Sequence, residues 1–153
     1  MADKLSKLLG TFFGVGYFPL ASGTVGSLAG LLVFWLLRNN IWAYGLVTIL
    51  ITVLGFLVSG RCERIFGRHD PREVVIDEVS GMLIALLLFP FRLPLAILAF
   101  FIFRGLDAVK PPPADRLEKL SGSLGIMLDD IAVGVYTWII FQLVLRLISF
   151  RIS

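Results

Sequence analysis

Cysteine and histidine are nearly absent: the 153-residue chain has one of each, Cys62 and His69. A single cysteine excludes an internal disulfide, and one of each excludes a Cys/His zinc site. The same count excludes a lipid phosphatase that works through paired catalytic histidines. Charge is also sparse, at 16% of residues, against about 25% in soluble domains. No basic cluster is interleaved with aromatics in polar sequence, so nothing points to nucleic acid. What fills the chain is apolar: 58% hydrophobic residues and 13 Phe, with a mean hydropathy of +0.91. That composition describes an integral membrane protein. The length accommodates four or five spans of about 20 residues in one domain, 1–153. Lys4 and Lys7 before an apolar stretch resemble a signal peptide, but Gly10, Gly14, Gly16 and Pro19 interrupt the stretch and argue against cleavage.

Uncharged runs and their breakers set the expected spans. Asn39 to Gly60 is the clearest transmembrane helix. Thr24 to Leu37 is shorter, about 21 Å at 1.5 Å per residue. Its GSLAG segment, Gly26 to Gly30, is a GxxxG pattern that permits close helix contact. Glu73 to Phe89 is apolar after Asp77 and Glu78 and ends in a Phe89 to Pro94 turn. Leu95 to Val109 follows, then a polar loop from Lys110 to Gly125 and a last span from Ile126 to Ile148. Leu8 to Leu20 reads as surface-lying or partly inserted. The expected fold is an all-α polytopic bundle of about five membrane helices, one of them short or re-entrant.

Counting turns assigns each loop to a side. With the N-terminus and the 61–72 loop on one side, all eleven acids fall on that side: Asp3, Glu63, Asp70, Glu73, Asp77, Glu78, Asp107, Asp115, Glu118, Asp129 and Asp130. Of the fourteen Lys and Arg, only Arg38, Arg92, Arg146 and Arg151 fall on the other. The positive-inside rule makes the acid-bearing side cytoplasmic.

Three helix ends therefore bring carboxylates to one face: Asp77 with Glu78, Asp107, and Asp129 with Asp130. Taken singly, an acid at a helix start is often a cap. Five together near lipid need a compensating charge, because like charges at short range oppose one another's ionisation. With oxygen ligands only, the hard ion Mg²⁺ is the best match. Arg104, Asp107 and Lys110, at i, i+3 and i+6, lie close to one face of a helix ending at Pro111. Arg104 suits bidentate contact with phosphate and Lys110 acts as a point charge. In PLASGTVGS, a helix begins near Ser22, Gly23 and Thr24, with free N–H groups available to an anion. Cys62 lacks an adjacent base and reads as inert, and His69 reads as a loop residue.

Four blocks carry a resemblance: PLASGTVGS (Pro19 to Ser27), DPREVVIDEVSG (Asp70 to Gly81), FRGLDAVKPPP (Phe103 to Pro113) and GSLGIMLDDIAVG (Gly122 to Gly134). In this order they resemble the signature blocks of the phosphatidylglycerophosphatase A family. That resemblance implies a Mg²⁺-dependent phosphatase of the bacterial inner membrane, converting phosphatidylglycerophosphate to phosphatidylglycerol and inorganic phosphate at the cytoplasmic face. It implies Asp77, Glu78, Asp107, Asp129 and Asp130 as catalytic residues. Metal ligands are expected among Asp77, Glu78, Asp129, Asp130 and Asp70, and phosphate contacts from Arg104, Lys110, Thr24, Gly23 and Ser27. The same residues are compatible with metal-activated water or with an aspartyl-phosphate intermediate. Two rivals stand beside this reading, a phosphatase for other lipid phosphate monoesters and a small Mg²⁺ transporter. A transporter would place acids along a path through the bilayer, and none reaches the far side.

Overall fold

The computed structural model describes residues 1–89 and 92–152, with 147–152 described by backbone alone. Pro90 and Phe91 of the expected Phe89 to Pro94 turn, and the side chain of Arg151, lie outside the described residues. Among the described residues the chain is all-helical, with seven α-helices and no strand. They are α1 (Ala2–Gly10), α2 (Ser22–Leu37), α3 (Ile41–Phe66), α4 (Ile76–Ala85), α5 (Leu93–Val109), α6 (Ala114–Leu117) and α7 (Ser123–Ile152).

Local chemistry explains where the helices begin and end. Asn40 caps α3, its Oδ1 accepting from the Ala43 N–H at 3.0 Å, and Gly67 ends it in the left-handed conformation that glycine adopts without penalty. Pro94 sits at the start of α5, where its missing N–H costs nothing. Lys110 closes α5 at φ 47°, and Pro111 prevents continuation. α3 therefore runs six residues beyond the expected Gly60, so Arg61 to Phe66 are helical. Between Lys110 and Gly125 the expected loop contains α6 and the first turn of α7.

Among the described residues two helices, Ile41–Phe66 and Ser123–Arg146, have the length and apolarity to cross a membrane. That is fewer than the five expected spans. The largest correction is α4, whose 10 residues extend about 15 Å against a hydrocarbon core of about 30 Å. Its sequence is apolar because it is packed inside protein: Val79, Met82, Leu83 and Ala85 are fully buried. α2 and α5, at 16 and 17 residues, fall short of a full span.

α4 is the hub, and small residues let its neighbours approach. A Cβ added at Gly26 of α2 would lie 2.9 Å from Val75 Cβ, and one at Gly30 would lie 3.0 Å from Met82 Cβ. The GxxxG segment is thus the α2–α4 contact. On the other side, Gly81 of α4 meets Gly134 of α7 backbone to backbone. The buried C-terminal end of α4 leaves carbonyls that need donors. Tyr44 Oη donates to Leu83 O at 2.5 Å and Trp138 Nε1 donates to Leu87 O at 2.9 Å. Phe34, Tyr44, Phe89 and Phe141 stack edge to face around this end. The opposite end of α4 carries Asp77 and Glu78.

Candidate active site

Four helix ends meet where α4 begins: the N-terminal turns of α2, α4 and α7 and the C-terminal turn of α5. Asp77 and Glu78 stand in the first turn of α4, and Asp130 lies two turns into α7. One carboxylate oxygen from each of Asp77, Glu78 and Asp130 can be chosen so that all lie within 4.8 Å of one another. Asp77, Asp129 and Asp130 are buried, at 5%, 5% and 3% exposure, so water does little to screen them. Among the described residues four buried side-chain oxygens have no hydrogen-bond partner, three of them here, Asp77 Oδ1, Glu78 Oε2 and Asp129 Oδ1, and the fourth Asp115 Oδ1 of α6. Buried carboxylate oxygens without donors are costly unless a cation satisfies them. This donor set fits a hard divalent ion and suits no soft one.

The cations are arranged around the acids. Arg104 Nη1 donates to Asp107 Oδ2 at 2.6 Å. Lys110 Nζ reaches both Asp129 Oδ2 and Glu118 Oε2, each at 2.7 Å. Its left-handed backbone turns it away from the α5 axis, a conformation that costs a non-glycine residue roughly 1 kcal/mol or more. Such strain is tolerated where a side chain must reach a particular place, here Asp129. Glu118 is a site residue that sequence reasoning missed. It sits among alternating charges in RLEKL, and only the folded path of the 110–122 segment brings it to Lys110.

α2 supplies an uncapped N-terminus, with Ala21 in the left-handed conformation before it and no side chain capping it. Gly23 lies against Glu78: a Cβ there would run into the Glu78 carboxylate and come within 3.3 Å of Arg104 Nη2. Thr24 is half-buried on the same turn. Ser27 is fully buried, and its hydroxyl donates to Gly23 O at 2.9 Å, so it braces the turn from within. Asp70 is exposed at φ 42° in the 67–75 loop, whose end, Val74 and Val75, is buried. It lies beside a cavity of about 390 Å³ that His69, Glu118 and Lys119 share. The structure therefore brings Asp77, Glu78, Asp130, Asp129, Lys110, Arg104, Asp107 and Gly23 together, and leaves Ser27 within its helix and Asp70 at the rim.

His69 is a strut. Its Nδ1 is 2.6 Å from Glu63 Oε1 and its Nε2 is 3.0 Å from Glu118 O, which joins the end of α3 to the segment holding Lys110. The hydrogen bond to Glu63 is the largest cause raising its pKa above the ordinary 6.5. A group whose folded pKa is raised stabilises the fold below its unfolded pKa and loses that contribution as pH rises through the folded value. The imidazole resonances of this single histidine are expected to titrate above 6.5, and Glu63→Gln is expected to bring the midpoint back toward it. A wild-type midpoint at or below 6.5 would contradict the strut. Cys62 is fully buried, its Sγ 3.1 Å from Ser6 O, in keeping with an inert thiol.

Fold and pocket together define a class: a helical protein, two of whose helices are long and apolar enough to cross a membrane, with buried acids and paired cations that suit phosphoryl chemistry. Residues 8–145 match the profile of a family described as Phosphatidylglycerophosphatase A, and the chain belongs to that family. It is accordingly a phosphoric monoester hydrolase. A phosphatidylglycerophosphatase A of Escherichia coli K12 is 37% identical over 131 residues, covering 84% of this chain and 76% of the relative. One from Haemophilus influenzae is 34% identical over 137 residues, 87% and 84% of the two chains. A Bacteroides thetaiotaomicron protein, provisionally named a phosphatidylinositol-3-phosphatase, is 35% identical over 145 residues, 89% and 91% of the two chains. No solved structure matches the chain.

Proposed function

We propose that this protein hydrolyses phosphatidylglycerophosphate to phosphatidylglycerol and inorganic phosphate, as a Mg²⁺-dependent polytopic enzyme of the bacterial inner membrane acting at its cytoplasmic face. The observation that carries this reading is the set of donor-less buried oxygens on Asp77, Glu78 and Asp129 beside Arg104 and Lys110. Asp77, Glu78, Asp129 and Asp130 would hold Mg²⁺. When bound, the ion polarises the phosphoryl group and makes water a better nucleophile. Arg104 and Lys110 bind the phosphate oxygens and neutralise the charge that spreads over them during transfer. The first-turn N–H groups of α2 orient the same group by their dipole. Gly23 leaves the space in which that turn approaches Glu78. The P–O bond to the glycerol breaks as water oxygen bonds to phosphorus, and the proton given up by water passes, by way of a buried carboxylate, to the oxygen of the departing alcohol. α2 and α5 complete a five-helix membrane bundle with α3, α4 and α7, α4 being the short member enclosed by the others.

A second reading is favoured by the Bacteroides relative: the same pocket would serve a lipid phosphate monoester with another polyol head group. The test is phosphate release from micellar phosphatidylglycerophosphate and, in parallel, from a phosphatidylinositol monophosphate, with Mg²⁺ and with EDTA. Release from the first that EDTA abolishes is expected. Release from the second substrate alone would transfer the assignment to it, and activity untouched by EDTA would remove the metal.

A further inference from the structure

We propose that the apolar groove between the C-terminal end of α5 and α7 receives an acyl chain of the lipid whose phosphate is hydrolysed; the inference rests on the reading above. The groove has a volume of about 320 Å³ and is lined by Leu106, Pro111, Pro112, Tyr136, Ile139 and Ile140. That is at the small end of the roughly 300–1,000 Å³ typical of ligand pockets, suited to part of a lipid and not to the whole of one.

Helical register ties the groove to the charged site on both walls. On α5, Leu106 lies one turn before Lys110 and next to Asp107, and Pro111 and Pro112 follow Lys110 directly. On α7, Tyr136 and Ile140 are seven and eleven residues past Asp129. At 100° per residue they fall within about 20° of it around the helix, and lie roughly 10 and 16 Å along its axis. One stripe of α7 therefore passes from the carboxylate that holds Lys110 into the groove. Tyr136 Oη donates to Pro112 O at 2.8 Å, which joins the two walls where the stripe enters. Ile139 and Ile140 remain 43% and 37% exposed, so the protein does not fill the groove itself.

A lipid phosphate monoester is charged at one end and apolar at the other. With its phosphate among Arg104 and Lys110, its polar spacer crosses the axial distance between Asp129 and Tyr136, and the chain continues along Ile140. A second apolar groove, about 360 Å³ and including Ile49, Val53 and Leu87, offers no such path. It borders the C-terminal end of α4, away from the end that carries Asp77 and Glu78.

The experiment compares kcat/KM for dioleoyl and dihexanoyl phosphatidylglycerophosphate in mixed micelles, for wild type, Ile140→Trp, Ile140→Ala and a lipid-facing control, Leu57→Trp. Filling the groove is expected to lower the long-chain value by about tenfold or more, while the short-chain value stays within about twofold of wild type. Removing the side chain in Ile140→Ala is expected to lower the long-chain value alone, by a smaller factor, which provides a second readout if the tryptophan is not accommodated. Leu57→Trp is expected to leave the ratio unchanged. Equal losses on both substrates in both Ile140 variants, or no loss in either, would overturn the groove assignment. Failure of wild type to release phosphate from either substrate would instead overturn the phosphatase reading on which it rests.

Discussion

Asp130→Asn is expected to lower phosphate release by about 10²–10³-fold while leaving the protein as stable as wild type or more so. The loss has the size found when one preorganised charge is removed from a site where charge develops. Asp130 is one of three acids whose oxygens gather within 4.8 Å, and it is nearly fully buried. On the proposed function, its removal would take a ligand from the Mg²⁺ site and shift the position of the phosphate. Stability should move the other way when the ion is absent. Three carboxylates held close together repel one another, and replacing one by a neutral amide of the same shape relieves that repulsion. Activity from detergent-solubilised protein and thermal unfolding in EDTA measure the two effects. A variant that is both active and unchanged in stability would mean that Asp130 is an isolated polar residue without partners in chemistry.

The second large effect is on the fold. Gly81→Ala is expected to cost about 3 kcal/mol or more in stability, at the upper end of the usual cost of overpacking. An added Cβ would lie 2.6 Å from Asp130 O and 2.8 Å from Phe103 Cζ. The first is backbone of a buried helix and cannot swing aside. The substitution should also reduce activity, because the backbone it displaces carries Asp130. Denaturant or thermal unfolding of the variant beside wild type checks the first effect, and phosphate release under conditions where it is folded checks the second. Gly45→Ala is the control: nothing lies within 4 Å of a Cβ there, and helix propensity favours alanine.

Much of the site was legible because topology did the work. Helices that alternate in direction must present Asp77, Asp107 and Asp129 at one end, whatever their exact lengths, and the FRxxD spacing puts Arg104 and Asp107 one turn apart; Lys110, expected on the same helical face, instead leaves α5 in the left-handed conformation and so reaches Asp129. The number of spans was not legible. Hydropathy measures avoidance of water and cannot distinguish lipid from protein interior, so α4 reads as a span although its apolar residues face other helices. The GxxxG of α2 could be read as a contact surface, but its partner could not, because Gly26 and Gly30 meet residues about 50 positions later in the chain. Glu118 and the Glu63–His69 strut were hidden for a similar reason. Each is an ordinary loop or helix-end polar residue until the 110–122 segment folds back over the pocket. Ser27, expected at the phosphate from the family resemblance, stands one turn into α2, where its hydroxyl donates to the carbonyl four residues back.

The proposed function requires the buried carboxylates to hold a divalent ion in contact with the substrate's phosphate. Electron paramagnetic resonance of Mn²⁺ bound to purified protein in detergent, with Mg²⁺ as competitor and a non-hydrolysable phosphonate analogue of the lipid, reports on that contact. Wild type is expected to bind Mn²⁺ that Mg²⁺ displaces and to develop phosphorus hyperfine coupling when the analogue is added; Asp77→Asn/Asp130→Asn should lose both. Mn²⁺ binding that survives undiminished in the double variant, or an analogue that binds without coupling to the ion, would contradict the account.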